Sequence, residues 1–199
     1  PVRRDPAPRH APRGTLVFEA ARCEASRRQI LGEIGRMSGN SDVWEGKRVS
    51  LLWAGPERAA AIADVHAKLF NPAWDEANVR GLLDHPAATS FVATLGSPNA
   101  VIGFIIGQFA ADESEIITIG VAPDYQRNGV GKLLVEGLVR AVQRAEVRRM
   151  FLDVATDNTA ALHLYSKMGF TPSGVRKGYY IRPGSTPVDA VTMSRTLTI

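Results

Sequence analysis

Two spacings of apolar residues alternate along the chain from Val49 onward, and each change of spacing marks an element. Residues 49–53 form a short apolar and β-branched run that predicts a first strand. After Pro56, the residues Ala60, Ile62, Ala63, Val65, Ala67, Leu69 and Phe70 recur at helical spacing, which predicts a helix over 57–70 with proline at its opening. Asn71-Pro72-Ala73-Trp74 breaks that helix, and Trp74 or Asp75 precedes a second one ending near Asp84, ahead of Pro86. Strands are expected over 90–95 and 100–109, joined by a turn containing Gly96, Pro98 and Asn99. Ile116, Ile117, Ile119 and Val121 predict another strand, which Pro123 stops; from Val130 the residues Leu133, Leu134, Leu138 and Ala141 set a helix to about Glu146. A strand over 150–155 and a helix over 158–168 follow, the helix closed by Gly169 as a left-handed cap with Phe170 packing back. Two final strands, about 171–181 and 188–197, flank Pro183-Gly184. The order of long helices and strands, without an internal repeat, gives an α/β domain.

Residues 1–48 read differently. Pro1, Pro6, Pro8 and Pro12 stand among arginines and disfavour regular structure over 1–14. Ile30, Leu31, Ile34 and Met37 allow at most a short amphipathic helix, weakened by Gly32 and Gly35, and 38–46 reads as a linker. The expected division is therefore a largely disordered N-terminal extension, 1–48, and a single domain, 49–199. An arginine-rich, proline-bearing start suggests a transit peptide, but Glu19, Glu24 and Glu33 argue against one, and no signal-peptide apolar core is present.

Charge follows the same division. The net +4 lies in residues 1–48, with ten Lys or Arg against six Asp or Glu, while 49–199 carries fourteen of each. The domain is neutral by count, so a nucleic-acid partner is not required. A lone cysteine, Cys23, cannot form an internal disulfide, and His10, His66, His85 and His163 show no metal-ligand spacing. A reducing cytoplasm and no structural metal are expected. The longest apolar run, 101–111, is interrupted by Gly103, Gly107 and Gln108 and is too short to span a bilayer, so no membrane segment is expected.

The candidate chemistry centres on Gln126-Arg127-Asn128-Gly129-Val130-Gly131-Lys132, a glycine turn from strand into helix. Such a turn leaves the first helical N–H groups unpaired at the positive end of the helix dipole, where a phosphate fits. Gly129 and Gly131 permit close approach of the backbone, and Arg127 adds a full positive charge. A triphosphate-binding P-loop would need glycine at 126 and Ser or Thr at 133, where Gln126 and Leu133 stand. A dinucleotide fingerprint would need a third glycine at Leu134. A turn whose glycines serve only backbone geometry remains the bland alternative.

The stretch from Val121 to Leu134, VAPDYQRNGVGKLL, resembles the acyl-CoA signature of the GNAT N-acetyltransferase superfamily, Gln/Arg-x-x-Gly-x-Gly/Ala. Asn158-Thr-Ala-Ala-Leu-His-Leu-Tyr-Ser-Lys-Met-Gly-Phe170 resembles that superfamily's second motif, and the two occur in the right order. Residues 113–121, Leu152-Asp153-Val154, Gly178-Tyr179-Tyr180 and Asp189-Ala190 are most similar to the ribosomal-protein alanine N-acetyltransferase branch. The likeness covers about residues 49–199. It implies a mixed, mostly antiparallel seven-stranded sheet flanked by about four helices, with its fourth and fifth strands splayed apart. Chains of that family begin near their first strand, so Met37 is an expected start of translation.

The resemblance also implies roles. Acetyl-CoA would be the co-substrate, its pantetheine arm bonded to the backbone of Ile119, Gly120 and Val121, with Gly120 letting the arm lie close; an ordinary strand glycine at a bulge is the competing reading. Tyr165 matches the tyrosine that protonates the departing thiolate, although Ala161, Leu164, Tyr165 and Met168 also form a helical stripe that would bury it. At ordinary values a phenol near 10 and a thiol near 8.5 make that transfer uphill by about 2 kcal/mol. Asn158 would contact the cofactor, or cap its helix. Asp153 stands where the family has a glutamate base, one methylene short, which favours a water relay; Glu115 and Glu113 are rival bases. Trp74, Tyr179 and Tyr180 would line an acceptor groove, or pack in the core. The activity so implied is acetylation of a protein N-terminus, plausibly alanine on a small-subunit ribosomal protein. A GNAT enzyme for a small-molecule amine and a non-catalytic acyl-CoA-binding module are the alternatives.

Overall fold

The computed structural model of the chain describes residues 43–44, 47–96 and 100–198. The expected disorder over 1–14, the short helix ending at Met37, the start at Met37 and the 97–99 turn lie outside the described residues.

The elements run β1 (Val43–Trp44), β2 (Lys47–Trp53), a 3-10 turn (Pro56–Arg58), α1 (Ala59–Ala67), α2 (Glu76–Asp84), β3 (Ala88–Leu95), β4 (Ala100–Ala110), β5 (Glu113–Val121), a 3-10 turn (Pro123–Tyr125), α3 (Val130–Arg144), β6 (Arg149–Ala155), α4 (Thr159–Lys167), β7 (Thr171–Tyr180) and β8 (Val188–Thr196). The strand order is β1-β2-β3-β4-β5-β6-β8-β7. Seven strands, β2 to β8, make the main sheet, to which the two-residue β1 adds a short ladder at one edge. Every pairing is antiparallel except that of β5 with β6. The mostly antiparallel sheet and four helices agree with the sequence reading. The final hairpin does not keep sequence order: β8 inserts between β6 and β7.

The parallel pairing of β5 with β6 runs only from Glu113↔Arg149 to Ile116↔Leu152. Beyond it, β5 stays on β4 as far as Gly103↔Val121 and β6 stays on β8 as far as Ala155↔Ala190, so the two strands part. The register against β4 slips at the same point: Gly107 pairs with Ile116 and Ile106 with Thr118, leaving Ile117 as an extra residue. An extra residue bends its strand and increases the local twist. The bulge at Ile117 thus turns β5 away where its ladder with β6 ends.

Helices cover the two faces unequally. On one face α3 inserts Leu133, Leu134, Leu138 and Val142 among Ile105, Ile116, Leu152 and Met193, joined by Tyr165 of α4 and by Phe170. Burial of the fully enclosed Leu134 and Leu138 contributes about 1.5–3 kcal/mol each. On the other face Ile62 and Val65 of α1 and Val79 and Leu83 of α2 pack on Val92, Phe104 and Ile106. That second layer rests on β3 and β4, and among the described residues no helix covers the β6, β8 and β7 part of its face.

Local chemistry sets the helix ends. Asp75 caps α2 by accepting from the Asn78 N–H at 2.8 Å. Gly169 takes φ +82°, and the Phe170 N–H returns to the Tyr165 carbonyl at 3.0 Å, closing α4 in the expected manner. The helix expected over 57–70 is shorter: it opens as a 3-10 turn and ends at Ala67. There the His66 carbonyl accepts from both Leu69 and Phe70, and the chain turns to stack Phe70 on the His66 ring, centroids 4.3 Å apart. Among the described residues no helix is long and apolar enough to cross a membrane.

Candidate active site

The strand-to-helix turn is built on two left-handed residues, Arg127 at φ +61° and Gly129 at φ +81°. Gln126 donates through Nε2 to the Val121 carbonyl at 3.0 Å, and Asn128 through Nδ2 to the Gln126 carbonyl at 3.1 Å. Both side chains therefore hold the loop in shape. Helix α3 receives no side-chain cap, so its first N–H groups stay available past the end of β5. Arg127 and Lys132 are exposed beside them, Lys132 lying 3.6 Å from Glu136. The Val130 side chain is buried in the core and can serve a ligand only through its backbone. A Cβ on Gly131 would stand 3.3 Å from Leu164.

From Ile117 to Val121 the edge of β5 that faces β6 has no strand partner among the described residues, which places Ile119, Gly120 and Val121 along the gap. Gly120 has a packing reason of its own: a Cβ there would stand 2.7 Å from both Leu69 Cδ1 and Phe104 Cε1. The strand bulge lies at Ile117, three residues before it.

Where the strands begin to part, the open face forms a groove of about 450 Å³ lined by Glu113, Glu115, Phe151, Leu152, Asp153, Arg176 and Thr192. Glu115 stands opposite Phe151, and Asp153 opposite Thr192. Both oxygens of Asp153 are engaged. Oδ2 accepts from Arg176 Nη1 at 2.6 Å and Oδ1 from Thr192 Oγ1 at 2.6 Å. The Asp153 side chain is 11% exposed and that of Arg176 38%. Arg176 reaches it from β7 across the whole width of β8, with its guanidinium 3.9 Å from the centre of the Tyr179 ring. The Tyr180 hydroxyl donates to the Asp153 carbonyl at 3.0 Å. Glu113 is held by Arg149 at 2.5 Å on the exposed rim.

Burial pushes the Tyr179 hydroxyl upward, and the Tyr180 hydroxyl, with Tyr179 and Asp153 adding to the effect, up to about 12. Both phenols stay protonated at neutral pH, and that of Tyr180 acts as a donor. Tyr165 is only 4% exposed, with Phe170 edge-on at 5.7 Å, and burial raises its hydroxyl well above the ordinary phenol value. A phenol so raised would give up its proton to a thiolate at a cost above the roughly 2 kcal/mol of a free phenol.

The structure brings Glu113, Glu115 and Asp153 to one groove, with Tyr179 against Arg176 and Tyr180 on the Asp153 carbonyl beside it. Trp74 is placed elsewhere, its ring stacked on His66 at 4.7 Å and its backbone N–H donating to His66 Nδ1 at 3.1 Å, so it braces the α1–α2 connection. Asn158 accepts from the Ala161 N–H at 3.1 Å and caps α4. Arg176 and Thr192 were missed. Residue spacing carries no sign that β8 would lie between β6 and β7 and so set Thr192 beside Asp153.

The acetyltransferase (GNAT) family profile matches residues 59–170. The chain is 39% identical over 77 residues to the ribosomal protein bS18-alanine N-acetyltransferase of Escherichia coli (strain K12), a match covering 39% of the chain and 52% of that enzyme. It is 38% identical over 96 residues to the enzyme of the same name from Haemophilus influenzae, covering 48% and 65%. It thus spans less than two thirds of either relative. The crystal structure of the ribosomal-protein-S18-alanine N-acetyltransferase from Escherichia coli superposes with a TM-score of 0.68 at 25% identity, over 76% of this chain and 95% of that one.

Proposed function

The chain belongs to the acetyltransferase (GNAT) family, and on that premise we propose that it moves the acetyl group of acetyl-CoA onto the α-amine of a protein N-terminus, with the N-terminal alanine of a small-subunit ribosomal protein as the leading acceptor. The observation that carries this reading is the parting of β5 from β6 beyond Ile116 and Leu152, with an uncapped helix N-terminus at one end and an acidic groove at the other. The N–H groups at the start of α3, with Arg127 and Lys132, suit the pyrophosphate of the donor. The unpaired edge of β5 suits a pantetheine arm, which carries amides of its own. The groove then receives the acceptor amine from the open face of the sheet.

The reaction is a direct transfer. The neutral amine nitrogen attacks the thioester carbonyl, the C–N bond forms and the C–S bond breaks. The proton released by nitrogen passes to a carboxylate of the groove, and the thiolate leaves stabilised by a hydrogen bond from Tyr165 before it takes a proton from water. An α-amine with a pKa near 8 is about one tenth neutral at pH 7, whereas a lysine side chain near 10.4 would need roughly 3 kcal/mol more assistance. The α-amine thus makes the smaller demand on a groove whose candidate proton acceptors are carboxylates. Among the described residues no group of three or more His, Cys, Asp or Glu is placed to hold a metal ion.

Acceptor and donor are tested together by incubating the protein with acetyl-CoA and a panel of alanine-, serine- and methionine-starting peptides beside free polyamines. The expected result is a single acetyl group on the peptide α-amine, placed by fragmentation mass spectrometry. Acetylation of polyamines alone, or donor binding without transfer, would overturn the proposal.

A further inference from the structure

Charges that cancel by count in residues 49–199 are separated in space. Glu113, Glu115 and Asp153 line the groove on the open face of the sheet, while a second groove, of about 310 Å³, lies on the α3 face. Lys132 and Arg140 of α3, Lys167 of α4 and Arg195 of β8 line this second groove with a single carboxylate, Glu136. Glu136 lies 3.6 Å from Lys132, and among the described residues Arg140, Lys167 and Arg195 form no ion pair. The Arg140 Nε is buried without a hydrogen-bond acceptor among the described residues, a cost that an arginine placed for stability would avoid by pairing. A cation in the last turn suits a helix end, which accounts for Lys167 alone. Arg140 stands a turn before the end of α3 and Arg195 comes from a strand, so the three meet only through the fold.

Lys132, Glu136 and Arg140 occupy successive turns on one stripe of α3, so the outer two are about 12 Å apart along the helix. At about 3.4 Å per phosphate along one strand of a duplex, that length covers about three or four phosphates. Beside its charges the groove offers only Val139 and Met168 and no aromatic ring, unlike the aromatic, apolar centre of a protein interface. Guanidinium groups such as those of Arg140 and Arg195 suit phosphate oxygens through paired hydrogen bonds. We propose that this α3–α4 groove docks RNA by its phosphate backbone, without reading base sequence. The choice of RNA among polyanions rests on the acetyl-transfer reading above, because a ribosomal protein is an acceptor that travels with RNA. Lys132 stands at the boundary between the donor's pyrophosphate and this groove, so Arg140, Lys167 and Arg195 carry the docking.

The test follows a fluorescein-labelled single-stranded RNA of about 16 nucleotides and mixed sequence by anisotropy, with the full chain, between about 50 and 200 mM salt. Three or four phosphate contacts to a single strand give an expected slope of about −2 to −3 in log affinity against log salt. Combining Arg140→Gln, Lys167→Gln and Arg195→Gln is expected to weaken binding about tenfold or more at low salt and to make the slope shallower by about 2, with peptide acetylation within about twofold of the parent. Absence of salt-dependent binding in the parent overturns the assignment. Binding unchanged in the triple variant places the RNA elsewhere, with the ten Lys or Arg of residues 1–48 the next candidates, and overturns it too. So does a tenfold higher donor KM in that variant with acetyl-CoA displacing the RNA, which gives the groove to the donor's own phosphates, or displacement by polyglutamate as readily as by unlabelled RNA. Melting temperatures check folding; should the triple variant fold poorly, Lys167→Glu, at an exposed position, must by itself weaken binding about fivefold, and unchanged binding there overturns the assignment. A parent that binds RNA through the groove but acetylates no peptide refutes the N-terminal reading and leaves the docking site standing.

Discussion

Gly120 separates two uses of a glycine that borders a ligand groove. If the residue is there to let a pantetheine arm lie against the strand, an added methyl should weaken the donor and leave the fold alone. The geometry points the other way. A Cβ at Gly120 would meet Leu69 Cδ1 at 2.7 Å, and Cε1 and Cζ of Phe104 at 2.7 and 2.9 Å. The end of Leu69 can swing aside, but the Phe104 ring is fully buried among α1, α2 and the sheet and has no free space to move into. Overpacking of this kind costs about 1–3 kcal/mol, offset by about 0.4–1 kcal/mol from the stiffer unfolded chain that alanine provides. The net loss for Gly120→Ala is then roughly 1–2 kcal/mol, and at about 2–4 °C per kcal/mol for a chain of this size the melting temperature should fall by roughly 2–8 °C. Calorimetric melting with and without acetyl-CoA, together with the donor KM at 20 °C, measures both consequences. The expected result is a lower melting temperature with donor KM within about twofold of the parent. An unchanged melting temperature with a tenfold rise in donor KM would refute the packing argument and return Gly120 to the cofactor.

Arg127→Ala should weaken acetyl-CoA binding by about tenfold or more, the value of a charge-assisted contact to phosphate, with high salt reproducing part of the loss in the parent; unchanged affinity by titration calorimetry would remove Arg127 from the site. His66 is 3% exposed, stacks between Phe70 and Trp74, and holds a pKa below its ordinary 6.5 because burial disfavours the cation. The unfolded chain therefore takes up this proton first. Stability from His66 is complete above about pH 6.5 and is lost as pH falls through the lowered folded value, by at most about 1.4 kcal/mol per pH unit. Melting curves at pH 7.5 and 5.5 should show a larger acid loss in the parent than in His66→Phe, and equal losses in the two would contradict this account.

Much of this molecule was legible in its sequence because the signals involved are local. The positions of the strands and helices followed from spacing and from Pro123, Asp75 and Gly169. The glycine turn was legible because left-handed backbone and an open helix end need particular residues in a fixed order, as at Arg127 to Gly131. Partners that meet through the sheet were not legible. Asp153, Thr192 and Arg176 converge only because β8 enters between β6 and β7, and nothing in the spacing of 171–197 states which strand takes the inner place. Trp74 was open to two readings, groove or packing, and the buried ring and Nδ1 lone pair of His66 hold it at the α1–α2 connection. The gap itself was expected only from family likeness. Its cause here is the extra residue at Ile117, a mismatch between β5 and β4 that exists only once the two strands are paired. Side-chain period and turn chemistry belong to one segment at a time, and the sequence alone determined what depends on them; register, strand insertion and the pairing of charges depend on several segments at once, and the tertiary structure decided those.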